Sequence, residues 1–337
     1  MIIDPLFTYY DVSVLREKEI EELLQKLNPL KVIFPTYRSL NELLINRICC
    51  KLNIQTVYLE HGLYSKDTEI LNIASARKCK IQTLKKYWTF SKYYTIFILR
   101  SGNILRELNV LYRAFFKNEY NCTKFNSALF FGEYGYRKLN HTFGFEDSEV
   151  RFCGYPLFES DEVKNQLQLS NNDDGTVLYV HQPFIKNKQT FISYEEERDY
   201  IVSFWSSINY KYDKFTLLLH PREDLLMYQE LYKKIDIEII QSPNDYKLFL
   251  NRSLVLGHYS TALLYALYFN RRTVIIDYPG TNIDDVFVDI VPYSRSTAQL
   301  VSLVKNGIPY PKANMLSSFI GPNNTYENIA KMIESDM

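Results

Sequence analysis

The sequence predicts an α/β chain of two domains, each a parallel sheet wrapped by helices, facing one another across a cleft. Three observations carry this expectation. The 337 residues exceed the roughly 250–300 at which a single core stops growing, so two cores are expected. Short β-branched runs alternate with longer amphipathic segments, the rhythm of strand–helix–strand units. That rhythm is broken once: Gly154-Tyr155-Pro156 and the polar stretch 166–175 separate two such series. The expected domains are therefore 1–155 and 156–337. No internal repeat of solenoid length is present.

The first series holds candidate strands at 31–35 (KVIFP), 55–59 (QTVYL), 128–131 (ALFF) and 150–153 (VRFC). Apolar residues recur with helical spacing over 17–27 and 40–52. The second series is clearer, with strands at 176–180, 215–219, 237–241, 254–257 and 273–277. Helices are expected between them near 195–208, 224–234, 244–250 and 260–269. A last helix over 326–335 follows the Gly321-Pro322-Asn323-Asn324 turn. This is the pattern of two Rossmann-like domains.

Composition excludes several classes. With 46% hydrophobic and 23% charged residues the chain is not disordered. No run approaches the ~18–20 apolar residues of a membrane span. The N-terminus lacks a basic segment followed by a long apolar run, so no signal peptide is expected and the reading is cytoplasmic. Five cysteines without paired spacing argue against a disulfide framework, and adjacent Cys49 and Cys50 read as buried apolar residues. Glycine is scarce, at about 3% against a typical ~7%, and neither GxGxxG nor GxxxxGK[ST] occurs.

The net charge of zero hides an asymmetry: +5 over residues 1–150 and −5 over 151–337. Residues 77–124 carry 11 basic and two acidic side chains, interleaved with aromatics from Tyr87 to Phe116. Such a surface suits anionic lipid or a polyanion; the alternative is a helical face with a charged rim and an aromatic core. Nucleic acid is not expected, because overall charge is neutral and no recognition motif appears.

In parallel α/β sheets, ligands bind outside the carboxyl ends of the strands. Four of the five histidines follow candidate strands directly: His61 (VYLEHG), His181 (VLYVHQP), His220 (TLLLHPRE) and His258 (LVLGHYS). Any one of them could be a satisfied structural histidine; four together point to function. His141 lies elsewhere and reads as structural. A metal site is disfavoured, since these residues come from separate strands and neither HExxH nor DxD occurs. A triad hydrolase lacks its GxSxG elbow. Anion recognition and proton transfer remain. In His220-Pro221-Arg222-Glu223, Pro221 stiffens the strand exit and Arg222 adds a permanent charge. Ser260 and Thr261 open the next helix, where amides and hydroxyls can hold a phosphate or simply cap the helix.

These residues resemble a family. Glu60-His61-Gly62, His220-Pro221 and Ser260-Thr261 look like the D/E-D/E-G, HP and Ser-Ser/Thr motifs of bacterial GT-B sialyltransferases and polysialyltransferases. CDP-glycerol polyol-phosphate polymerases and capsule Kdo transferases are similar in outline. One departure is plain: His61 stands where the sialyltransferase motif has a second carboxylate. A true Asp173-Asp174-Gly175 precedes a strand and reads as a linker turn.

The resemblance implies a GT-B fold with an acceptor-side first domain and a nucleotide-sugar-binding second domain. It implies metal-independent, inverting transfer of a sialic or related nonulosonic acid from a CMP-sugar to a capsule or lipopolysaccharide glycan. His61 or Glu60 would be the base. His220, Ser260 and Thr261 would stabilise the departing CMP phosphate. His181, Gln182, Pro221, Arg222 and His258 would line the donor site. Glu223 would hold ribose or cytosine, or else be an exposed helix-start glutamate. No cofactor is implied beyond the donor substrate. The basic aromatic segment would suit work at the inner membrane face on a lipid-linked glycan. Two alternatives stay open: CDP-glycerol or CDP-ribitol transfer, and a non-catalytic glycan- or lipid-binding module.

Overall fold

Every β-branched run identified above becomes a strand, and all of the pairings are parallel. The computed structural model describes residues 10–12, 14–35, 40–60, 92, 95–116, 125–166, 173–186, 193–242, 245–258, 260–277, 287, 290–322 and 324–334. The chain forms two compact units. The first takes in the described residues of Met1–His61, Lys85–Gly154 and Gly321–Met337, the second those of Tyr155–Ile320.

The first unit runs α1 (Glu17–Leu27), β1 (Lys31–Phe34), α2 (Leu40–Leu52), β2 (Gln55–Leu59), α3 (Ile104–Phe116), β3 (Ser127–Phe130), α4 (Glu133–Phe143) and β4 (Val150–Phe152). Its sheet has the order β1-β2-β3-β4. Helix α2 shows why Cys49 and Cys50 differ: neighbours on a helix point about 100° apart. Cys49 is buried, and Cys50 is exposed rather than buried as expected.

The second unit holds α5 (Asp161–Gln166), β5 (Thr176–Val180), α6 (Tyr194–Ile208), β6 (Lys214–Leu218), α7 (Leu225–Tyr232), β7 (Glu238–Ile240) and β8 (Leu254–Gly257). It continues with α8 (Leu263–Tyr268), β9 (Thr273–Ile276), β10 (Tyr293–Ser294), α9 (Thr297–Asn306) and α10 (Ala313–Ile320). The sheet order is β10-β9-β8-β5-β6-β7. β8 and β9 are buried along their whole length, as parallel strands covered on both faces must be. Val177, Tyr179, Phe215, Leu217, Leu256 and Ile276 pack into one core with Ile201, Phe204 and Trp205 of α6. The helix expected over 244–250 is only a short 3-10 turn, Tyr246–Phe249.

The last helix, α11 (Thr325–Glu334), belongs to the first unit, which corrects the single 156–337 domain. Lys31 Nζ donates to Met332 O at 3.1 Å and Asn328 Nδ2 to Cys153 O at 3.2 Å. Gly321 and Gly154 sit at positive φ where the chain re-enters and leaves this unit.

The basic aromatic segment is described only at 92 and 95–116. There two of the basic side chains, Arg100 and Arg106, are engaged within the unit. Arg100 donates to Leu15 O and Val12 O at 2.7 Å. Arg106 pairs with Glu17 at 2.5 Å and with buried Glu107 at 2.8 Å, and Glu107 also holds Arg47 at 2.6 Å. These cations serve the fold, while Leu99 (71% exposed) and Leu105 (82%) face outward. No helix among the described residues is long and apolar enough to cross a membrane.

Candidate active site

Strands β8, β5 and β6 are neighbours in the second sheet, and each is followed by a histidine: His258, His181 and His220 respectively. The chain reverses its winding direction at β5, with β6 and β7 on one side and β8 to β10 on the other. The carboxyl ends of β5 and β8 therefore form the topological switch point where α/β sheets bind ligands. The three rings are not equivalent, because each has different partners.

His258 is closed off. Its Nδ1 lies 2.6 Å from Ile276 O and its Nε2 2.8 Å from the Tyr179 hydroxyl, and the side chain is wholly buried. A carbonyl can only accept, so Nδ1 carries the proton and Nε2 accepts from Tyr179. Burial drives its pKa well below the ordinary value, keeping the ring neutral. His258 is a core histidine, and its expected place in the donor site is corrected accordingly.

His220 is the opposite case. The Arg222 N–H donates to its Nδ1 at 3.1 Å, so the proton of the neutral ring sits on Nε2. Partial burial, helped by Arg222, His181 and Lys186, lowers its pKa to about 4. The ring is neutral at pH 7 and offers one N–H. The backbone around it is pinned: Glu223 N donates to His220 O at 2.9 Å, and Gln241 Nε2 reaches His220 O at 3.0 Å and Glu223 O at 3.1 Å. Pro221 and Arg222 are exposed.

Glu223 is no exposed helix-start residue. Asp224 caps α7 by accepting from Met227 N at 3.1 Å. The Glu223 side chain is fully buried, with Lys186 Nζ 3.4 Å from Oε2 and neither oxygen hydrogen-bonded among the described residues. Lys186 also donates to Arg222 O, tying the segment after β5 to the one after β6.

His181 is buried at the end of β5. Its Nε2 lies 3.2 Å from Glu197 Oε1, an ion-pair approach, and 3.3 Å from the Tyr228 hydroxyl, which itself donates to Glu197 Oε2 at 2.6 Å. Gln182 is buried beside it. The sequence reading missed Glu197 and Tyr228. A signal existed: Glu197 lies four residues before Ile201, on the buried stripe that continues through Phe204, Trp205 and Ile208.

Ser260 and Thr261 form a turn ahead of α8, whose N-cap is Ala262. Ser260 Oγ accepts from Ala262 N at 3.2 Å, while Ser260 O and Thr261 O each accept an amide at 3.0 Å. Helix α8 has only six residues, so its N-terminus is a weak anion site. Neither hydroxyl caps the helix, and Ser260 Oγ is engaged in the turn that leads into it.

In the first unit, Glu60 ends β2 and is buried. Phe131 N donates to its Oε2 at 2.6 Å. Its carboxyl lies against α4 where Gly135 has no side chain: a Cβ there would stand 2.1 Å from Glu60 Oε1. Burial raises the Glu60 pKa to about 8, so at neutral pH the group mostly holds its own proton. That disfavours it as a proton acceptor. His61, the other expected base, lies outside the described residues, as does Tyr259. Asp173 pairs with Arg272 at 2.6 Å, and Asp174 accepts from Thr176 N at 2.9 Å, both at the amino end of β5, away from the histidines. Among the described residues no group of three or more His, Cys, Asp or Glu side chains is placed to hold a metal ion.

The two parallel-sheet Rossmann-like units have the fold class of GT-B proteins. No family model and no curated protein sequence matches the chain. Among solved structures, the UDP-GlcNAc 2-epimerase of Methanocaldococcus jannaschii in complex with UDP-GlcNAc and UDP is similar, with a TM-score of 0.52 at 14% identity. The match covers 95% of this chain and 79% of that one. The S. aureus MnaA–UDP co-structure gives 0.53 at 13% identity, over 99% of this chain and 84% of that one. At such identities the likeness is one of fold.

Proposed function

We propose that this protein is a metal-independent inverting glycosyltransferase that moves a sialic or related nonulosonic acid from a CMP-activated donor to a surface glycan. The observation that carries the reading is His220: a neutral ring at a strand end, with Nδ1 occupied and an Nε2–H for which no acceptor is found among the described residues. A fixed neutral donor of this kind strengthens its hydrogen bond as a leaving phosphate gathers charge, with no proton to lose first. The motif order Glu60-His61-Gly62, His220-Pro221, Ser260-Thr261 supports a cytidine donor. His61 is then the proposed base.

A second reading follows from the two similar structures, whose ligands are UDP-GlcNAc and UDP: the nucleotide would be uridine and the chemistry need not be transfer. Thermal denaturation with CMP, CDP-glycerol and UDP, without added metal, separates the readings. CMP alone is expected to raise the midpoint. A shift with UDP only removes the cytidine donor, and one with CDP-glycerol only favours polyol-phosphate transfer.

The outward aliphatic face of 95–116 supports docking of the protein on a membrane carrying the acceptor. Co-sedimentation with anionic vesicles is expected, and Leu99→Glu with Leu105→Glu should abolish it. Equal sedimentation of the double variant removes this surface from the proposal.

A further inference from the structure

The three strand-end histidines differ in which nitrogen remains available, and His181 is the one whose state depends on two residues the motifs do not include. Its Nε2 faces Glu197 Oε1 at 3.2 Å and the Tyr228 oxygen at 3.3 Å. The single Tyr228 proton is directed to Glu197 Oε2 at 2.6 Å, so toward His181 the phenol presents only a lone pair. Burial and the neighbouring Glu197 raise the Tyr228 pKa far above its ordinary value, so the phenol keeps that proton. Both neighbours of Nε2 are therefore acceptors, although Glu197 Oε1 lies near it without an aligned hydrogen bond, and Nε2 is the nitrogen whose surroundings call for a hydrogen. The other nitrogen, Nδ1, is buried and finds no hydrogen-bond partner among the described residues. Buried polar atoms are nearly always paired, and an unmade bond at a strand end on the switch point calls for an explanation.

We propose that Glu197 and Tyr228 are positioning residues that hold His181 as its Nε2–H tautomer and thereby keep Nδ1 as a hydrogen-bond acceptor for a hydroxyl of the bound nucleotide-sugar. This rests on the nucleotide-sugar reading above. It divides the work at the site: His220 supplies an N–H suited to phosphate oxygen, and His181 supplies a lone pair suited to a sugar or ribose hydroxyl. A phosphate oxygen would find no donor on a neutral Nδ1. Because that nitrogen is shielded from solvent, a ligand reaches it only with a local rearrangement. The tautomer and the ligand contact are therefore measured separately.

The experiment is long-range 1H–15N correlation of the full-length protein labelled on histidine nitrogen, at pH 7.5, with His181 assigned by the signals lost in His181→Asn. The wild-type ring should be protonated on Nε2, a measurement that needs no folded variant. Glu197→Met removes both acceptor oxygens and frees the Tyr228 hydroxyl to donate to Nε2, so the proton should move to Nδ1. Tyr228→Phe leaves Glu197 in place, and the Nε2–H form should persist. A purely structural role for Glu197 would change stability without moving the proton. A wild-type ring protonated on Nδ1, or a Glu197→Met ring unchanged in a folded variant, overturns the proposal. Adding CMP-sialate should then shift the Nδ1 signal. If the ligand binds by calorimetry and leaves that signal unmoved, the ligand contact is refuted. If CMP, UDP and their sugars all fail to bind, the nucleotide-sugar reading falls, and the ligand contact with it, while the tautomer result still stands for Glu197 and Tyr228.

Discussion

Replacing His220 by alanine is expected to cut donor turnover by roughly 10²-fold or more, with little change in the thermal midpoint. The ring is only partly buried, and among the described residues its one side-chain bond is from Arg222 N–H at 3.1 Å, so the fold loses little. The reaction would lose an N–H directed at the place where charge develops. His220→Gln, which keeps an N–H on a side chain of similar reach, should recover part of the rate. Since the pKa is depressed to about 4, the neutral donor persists from neutral pH down to about 5, and the ring gains its second proton only as pH falls through about 4. Hydrolysis of CMP-sialate, followed by CMP release, is the assay. Full activity in His220→Ala would remove His220 from the reaction, and no CMP release from the wild type would leave the non-catalytic binding module as the better reading. His61→Ala should show a loss of similar size if His61 is the base.

Gly321→Ala is expected to be among the most destabilising single substitutions in the first unit. Its φ is +62, and an added Cβ would stand 1.8 Å from Phe131 O and 2.9 Å from Phe131 C. These are backbone atoms of the turn after β3, so no side chain can swing aside. The left-handed conformation costs a non-glycine residue about 1–2 kcal/mol, and overpacking adds about 1–3 kcal/mol. A fall of roughly 10 °C in the first unfolding transition follows for a unit of this size. Gly102→Ala provides the contrast: φ is +69, but nothing lies within 4 Å of its added Cβ. It should show the conformational cost alone. Equal losses in the two variants would show that the close approach to Phe131 is relieved cheaply.

The strands were the most legible part of the fold. Runs such as TVLYV and LVLG are buried on both faces, and a continuous apolar stretch of that length between polar segments has few other uses. The domain assignment of the last helix was not legible. Nothing in the composition of 321–337 says which sheet it packs on; Lys31, Cys153 and two glycines at positive φ decide that. The described part of the basic segment shows a related limit. A count of charges does not show that Arg100 and Arg106 are turned inward to carbonyls and carboxylates.

At the candidate site, the sequence by itself determined where chemistry-bearing side chains fall. Histidine after a buried β-branched run must stand at a carboxyl strand edge, since strand direction follows from chain order. What each histidine can do was decided only by the tertiary structure. A ring's chemistry depends on which nitrogen is already committed, and the committing partners come from distant parts of the chain: Ile276 and Tyr179 for His258, Glu197 and Tyr228 for His181. His220 alone is committed locally, by an amide two residues on.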